Sequence, residues 1–337
     1  MKKIVVLFSS SEYCDMLLTQ EAFQIAESLG FNLQLQYKNP FSVEEVEPDP
    51  EAEAVITTWG SPKCNQVLLE KMPALKIVGH AAGSVRQIFD PVLYQRGVTV
   101  LSANPVMAHA VAEWSLMMTL LRSRNFFASS AYPGKKSMDW KNRFNFRDLK
   151  TSTLGFWGFG DTTRHLLAMF IPLRPKRMLV ASAHASEEEI RAAGAEKVSF
   201  EMMLGNSQHL HCLVGINAAN YHKIGAAELA MMPDGATIYN CGRATLIQEA
   251  ALLRELASGR LHAVLDVFPQ EPLPEDSELF QYPNLIMTPH NAGFPGRELF
   301  VPFLLRQFKR YFQGQKPEGM VPQERFEAMT DESLAKK

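Results

Sequence analysis

Short apolar runs alternate with amphipathic segments along almost the whole chain, and this alternation restricts the fold more than any other feature. Runs at residues 4–8, 32–37, 54–57, 76–79 and 98–101 have the length and content of strands, and 16–29 and 65–71 between them carry helical spacing. A second series follows, with strands expected at 153–157, 178–182, 209–214, 237–240, 263–267 and 285–288. Such alternation predicts α/β units on parallel sheets, because a parallel strand can be reached only by a crossover. With 337 residues, two domains of this kind are expected. Between the two series, Asn104 as cap and Pro105 at the first helical position open a helix predicted over 105–130. Ala108, Val111, Ala112, Leu116, Met117 and Leu120 give it a broad apolar face. A last amphipathic helix is expected over 298–312, and the polar tail 323–337 is expected to fray.

Composition removes whole classes of function. Lys plus Arg is 34 and Asp plus Glu is 36, so a net charge of −2 gives no drive toward nucleic acid or a membrane surface. Cys14, Cys64, Cys212 and Cys241 form no CxxC pair, which argues against both a disulfide framework and a structural zinc site. The run 4–8 is too short for a signal-peptide core, and no stretch approaches 18 apolar residues, so a cytoplasmic address is expected. His209 and His211 alternate with apolar residues on one predicted strand; burial of alternate faces explains the pair without a metal. The aromatic and basic stretch 132–147 reads as a loop, covering a cleft or packing in a dimer.

Chemistry enters at a glycine loop. Gly155-Phe156-Trp157-Gly158-Phe159-Gly160 ends a predicted strand and precedes a predicted helix over 162–170, the context of a dinucleotide fingerprint. Gly158, Gly160, Asp161 and Thr162 are then candidates to hold a pyrophosphate at the helix N-terminus. The third glycine position is Thr163, whose hydroxyl is free in sequence terms to face the phosphates. The next strand ends in Ser182-Ala183-His184 with no carboxylate to hold a ribose 2′-hydroxyl, so Ser182 tolerates a 2′-phosphate and the cofactor expectation is NAD or NADP with a lean to NADP.

Three titratable residues follow strand ends in the second series: Arg243 after 237–240, Glu271 after 263–267, and His290 after 285–288. That edge is where open α/β sheets bind ligands. Arg243 can hold a carboxylate bidentately, and His290 can exchange a proton with a carbonyl oxygen. A carboxylate such as Glu271 beside His290 would favour the imidazolium. Asp266 is placed to orient a nicotinamide, and Cys241 to line the cofactor.

The blocks Met72 to Ile77, Val111-Ala112-Glu113, Leu154 to Gly160, Pro233 to Arg243, Leu265 to Pro272 and Thr288 to Gly293 resemble the D-isomer-specific 2-hydroxyacid dehydrogenases. The resemblance covers about residues 73–314. It implies two Rossmann-like domains with parallel sheets: a discontinuous substrate domain from 1–103 and 294–337, and a nucleotide domain at 104–293 inserted into it, with a cleft at the hinge. It implies Arg243, Glu271 and His290 as the catalytic trio, Asp266 as the nicotinamide-contacting acid, and Ala82, Gly83 and Ser84 as the loop that takes the substrate carboxylate. It further implies a homodimer built on the long helix. The chain departs from the family pattern at Thr163, at the missing ribose acid, at Leu213-Val214-Gly215 where a His-x-Pro turn is usual, at Ala244, and at Arg86, which is read as a surface residue. The expected function is hydride transfer between NAD(P) and a small 2-oxo or D-2-hydroxy acid. The alternative is a nucleotide-sensing binding protein on the same scaffold, a use to which relatives of C-terminal-binding protein put this fold.

Overall fold

The computed structural model describes residues 1–131, 137–142, 146–330 and 334. It has twelve strands: β1 (Lys2–Phe8), β2 (Phe31–Tyr37), β3 (Ala54–Thr57), β4 (Ile77–His80), β5 (Thr99–Ser102), β6 (Thr153–Trp157), β7 (Arg177–Ala181), β8 (Glu196–Lys197), β9 (His209–Cys212), β10 (Thr237–Asn240), β11 (His262–Leu265) and β12 (Leu285–Met287). The chain divides into two compact units. The first is Met1–Met107 with Phe294–Glu332, and the second is Ala108–Gly293 with Ser333–Lys337. Leu334 accepts a hydrogen bond from Thr245 Oγ1 at 3.0 Å, a contact within the second unit.

In the first unit the sheet order is β2-β1-β3-β4-β5, and every pairing is parallel. The order reverses direction between β1 and β3, which makes their C-terminal edge a topological switch point. Ile4, Val5, Val6, Leu7 and Phe8 are all buried, as a strand covered by helices on both faces requires. The helix Phe300–Phe312 returns to this sheet and buries Phe300, Val301, Leu304, Leu305 and Phe308. It lies close: a Cβ on Gly79 would stand 2.9 Å from Phe308 Cζ. This helix joins the end of the chain to the first sheet and makes the unit discontinuous.

The second unit has a seven-stranded sheet, β12-β11-β10-β9-β6-β7-β8, again parallel throughout. Counted from β6, this is the doubly wound order 3-2-1-4-5-6 with one strand added. Its switch point falls between β6 and β9, and the glycine loop leaves β6 there.

Several elements differ from the sequence expectation. The long helix is Asn104–Ser123, not 105–130; Asn125 adopts φ 50°, a left-handed exit, before a short turn of helix at Phe126–Ser129. The region 16–29 forms two helices, Ser11–Leu17 and Gln20–Ser28, because Thr19 caps the second by accepting from Ala22 N. The tail does not simply fray. Gln323–Ala328 is helical, Phe326 is buried edge-on against Tyr94, and Arg86 Nη1 donates to Glu327 O at 2.6 Å. Arg86 is therefore half-buried at a helix C-terminus, where a cation is favoured. The stretch 132–147 lies partly outside the described residues; within it Trp140 and Phe146 are exposed.

His209 and His211 are core residues. His209 bonds Tyr239 Oη (2.9 Å) and Ser123 Oγ (3.5 Å), and His211 Nε2 bonds Thr119 Oγ1 (3.3 Å). The His211 ring stacks on Tyr239 and Phe156. Ser115, Thr119 and Ser123, four residues apart on the long helix, thus form a polar stripe that docks onto β9 and β10. Among the described residues no group of His, Cys, Asp or Glu could hold a metal. Burial depresses both imidazoles to about 3. The unfolded chain protonates them near 6.5 and the folded chain does not, so stability is full above pH 6.5 and falls as pH drops toward 3. We expect each to contribute a slope of about 1.4 kcal/mol per pH unit in that window. Urea unfolding at pH 7.5 and pH 5 should show the loss, and His211→Phe should reduce it; an unchanged midpoint contradicts the assignment.

Candidate active site

The strands β10, β11 and β12 are neighbours, with Asn240, Leu265 and Met287 in register at their C-terminal ends. Arg243, Glu271 and His290 all lie beyond those ends, on one edge of the second sheet. Adjacent strands are about 4.8 Å apart, so the three side chains spring from a strip about 10 Å wide.

Each is held by local hydrogen bonding. Asn240, buried at the end of β10, accepts from Gly242 N (3.1 Å) and donates from Nδ2 to Arg243 O (2.9 Å), closing the turn that presents Arg243. Arg243 is half-buried, with Nη1 on Gly242 O at 2.8 Å. Glu271 Oε1 accepts from Phe268 N at 2.9 Å, which fixes the carboxylate against its own loop. Its Oε2 lies 2.7 Å from His290 Nδ1. With Nδ1 donating to Glu271, Nε2 is the nitrogen left for proton exchange. The two side chains remain accessible, at 48% and 36% relative exposure.

His290 has φ 51°, a conformation that costs a non-glycine residue energy and persists only where surroundings enforce it. Asp266 enforces it. One oxygen accepts from Thr288 Oγ1 and from Asn291 N, and the other accepts from Ala292 N at 3.0 Å. Asp266 is 1% exposed. Burial raises its carboxyl above the usual range, opposed by the Thr288, Ala292 and Asn291 hydrogen bonds and by the His290 charge. Asp266, expected to orient a nicotinamide, also anchors the His290 turn, because three donors converge on it. Asn240, Thr288 and Asn291 escaped the sequence reading. An Asn at a strand end followed by Cys-Gly is the only local signal any of them carries.

The glycine loop suits a dinucleotide. Gly158 has φ +105°, and a Cβ there would meet Val214 Cγ1 at 2.7 Å, so only glycine makes this turn. Gly160 opens the helix Asp161–Phe170 without a side-chain cap, and a Cβ on it would meet nothing within 4 Å. Uncapped amides beside open space are what a pyrophosphate requires. Asp161 and Thr162 are half-buried in the first turn. Thr163 does not face phosphate: it is fully buried, and its hydroxyl donates to Gly158 O at 3.0 Å, since a buried hydroxyl takes the nearest carbonyl. Ser182 Oγ accepts from His184 N (3.4 Å) and Ala185 N (3.2 Å), which leaves its proton to donate. Cys241 Sγ lies 3.7 Å from Ser115 Oγ, and burial pushes its thiol up to about 12, so it is a neutral lining group.

In the first unit, Ala82, Gly83 and Ser84 follow β4. Ser102 Oγ donates toward Ala82 O (2.9 Å) and Gly83 O (2.6 Å), so the loop's carbonyls are anchored inward. Gly83 is tight, with a Cβ falling 2.3 Å from Met107 Cε, and Ser84 Oγ is buried with no partner among the described residues.

A model of the D-isomer specific 2-hydroxyacid dehydrogenase NAD-binding domain matches residues 114–292, more than half the chain. The chain belongs to the D-isomer specific 2-hydroxyacid dehydrogenase family. As a member of that family it carries its nicotinamide-nucleotide domain in the second unit. Among curated proteins it is 28% identical over 282 residues to glyoxylate reductase of Thermococcus litoralis, covering 80% of this chain and 84% of that one. It is 29% identical over 247 residues to glyoxylate/hydroxypyruvate reductase B of Yersinia enterocolitica, covering 71% and 74%. Among solved structures, a phosphoglycerate oxidoreductase from Rhizobium etli shares the fold with a TM-score of 0.80 at 23% identity, covering 96% and 98%. No helix among the described residues of this family member is long and apolar enough to cross a membrane.

The clamp under His290 is open to test. Asp266→Ala leaves the Thr288 hydroxyl and the Asn291 and Ala292 amides without this acceptor; the Ala292 amide is the buried one, and stranding it costs about 1–3 kcal/mol. Chemical unfolding should register that loss; wild-type stability in the variant would mean the clamp is not structural.

Proposed function

We propose that this family member reduces a small 2-oxo acid to its D-2-hydroxy acid with NADH or NADPH. The observation that carries the reading is the His290–Glu271 hydrogen bond of 2.7 Å, standing on the same sheet edge as Arg243. Bound nicotinamide supplies the hydride. Arg243 takes the substrate carboxylate bidentately and polarises the neighbouring carbonyl. His290 Nε2 gives its proton to the carbonyl oxygen, and Glu271 holds the ring through Nδ1. In the oxidative direction the same nitrogen takes the proton back. Ala82, Gly83 and Ser84 of the first unit are the substrate-binding loop in this reading.

The cofactor residues in this reading are Gly158, Gly160, Asp161, Thr162, Ser182, Cys241 and Asp266. The Ser182–His184 turn, half-buried at Ser182 and exposed at His184, has a hydroxyl donor and no carboxylate, which supports NADP over NAD. We further infer a homodimer through the long helix, where Met117 and Leu120 are exposed and Phe126 continues the apolar face. Four free cysteines fit a reducing cytoplasm. Intact acid–base geometry favours turnover over the nucleotide-sensing alternative.

His290→Ala should lower kcat by about 10²–10⁴-fold on any active 2-oxo acid while leaving nucleotide affinity unchanged. Nucleotide binding by the wild type with no turnover on any oxo acid would transfer the reading to a sensor. Calorimetric titration with NADPH and NADH side by side should show tighter binding of NADPH; tighter NADH overturns the assignment of Ser182.

A further inference from the structure

Arg297 is a half-buried cation held by aromatic rings. Its guanidinium carbon lies 3.5 Å from the centroid of the Phe294 ring and 4.7 Å from that of Trp59, and Tyr13 packs on Trp59 with centroids 5.4 Å apart. Its one hydrogen-bond contact among the described residues is Nη1 to Met16 Sδ at 3.9 Å, and its Nε is buried with no partner. Glu12 and Tyr13 favour the cation from a distance, but among the described residues no carboxylate lies within ion-pair reach of it. A half-buried guanidinium is normally paired, because its donors lose water on burial. Ring contact occupies the faces of the group and leaves its in-plane N–H donors, the ones a carboxylate or phosphate engages.

Its place in the fold gives this a purpose. Tyr13 and Trp59 follow β1 and β3, the two strands between which the first sheet reverses order, and Trp59 is two residues past Thr57 at the end of β3. Thr57 is in register with His80, and Thr58 Oγ1 donates to Ala81 O at 3.2 Å. The Trp59 segment is thereby tied to the loop containing Ala82, Gly83 and Ser84. One sheet edge within the first unit carries two receptors for anions: that loop and Arg297. A 2-oxo acid with a single carboxylate satisfies only one.

We propose that Arg297, stacked on Trp59 and Phe294, receives a second anionic group of the substrate. The preferred substrates are then 2-oxo acids bearing a remote carboxylate or phosphate. The proposal deepens, and rests on, the dehydrogenase reading above, but its binding arm can be tested without turnover.

The experiment compares kcat/KM for oxaloacetate and 2-oxoglutarate, for 3-phosphohydroxypyruvate, and for glyoxylate and pyruvate, in wild type, Arg297→Gln and Arg297→Lys. The wild type should prefer the doubly anionic acids. Arg297→Gln should reduce their kcat/KM about 30-fold more than that of the monocarboxylates, with Arg297→Lys recovering part of the difference. Ranking the dicarboxylates against the phosphate ester identifies which anion the site takes. Equal losses on all substrates, or a wild-type preference for monocarboxylates, overturns the proposal and leaves the dehydrogenase reading intact. In parallel, Trp59 fluorescence, assigned by Trp59→Phe, is titrated with succinate, glycerol phosphate and acetate. Quenching by a dianion that acetate does not match, abolished in Arg297→Gln, supports the receptor even if no oxo acid turns over, in which case the dehydrogenase reading alone fails. Absence of dianion-selective quenching overturns the receptor whatever the turnover.

Discussion

The carboxylate of Asp266 accepts three hydrogen bonds from the segment that carries His290, and the chemical edge of the second unit depends on that convergence. Left alone, a histidine backbone would leave the left-handed region, and an aspartate would leave the interior. Held together, each satisfies the other: the buried charge finds donors, and the turn finds an anchor that keeps φ at 51°. The His290–Glu271 pair can then be accessible without being loose, because what orients it lies in the core. Arg243 obeys the same arrangement one strand away, where the buried Asn240 side chain closes its turn.

The two sheets give these turns somewhere to converge. Parallel strands end on a common edge, and a doubly wound order leaves a crevice where the direction of winding reverses. In the second unit the glycine loop leaves β6 at that reversal; in the first, Tyr13 and Trp59 flank it. The His209–His211–Tyr239 stack serves stability instead. It fastens the long helix to the middle of the second sheet with polar contacts that only full burial makes worthwhile.

Much of this was legible along the chain. Strand positions follow from apolar runs, since a strand buried on both faces needs no alternation. Arg243, Glu271 and His290 were legible because each follows such a run within a few residues, and Gly158 because a strand-to-helix turn of that kind excludes a side chain. The errors have a common form. The long helix stops seven residues short of its apolar pattern because Asn125 turns left-handed. The tail is held by Phe326 and by Arg86, more than 200 residues away in sequence. Thr163 turns inward to a carbonyl of the loop it follows. In each case a partner, not a propensity, decided.

By itself, then, the sequence determined the fold class, the strand-end position of Arg243, Glu271 and His290, and the family, because periodicity, strand termini and short motifs are local properties of a chain. Only the tertiary structure decided what each buried polar atom bonds to. It made Asp266 the anchor of the His290 turn, and it left the Arg297 guanidinium stacked on aromatic rings with no carboxylate in ion-pair reach among the described residues. The physical reason is that a hydrogen bond or an ion pair is a relation between groups distant along the chain, and its energy depends on burial that no single segment possesses before it packs.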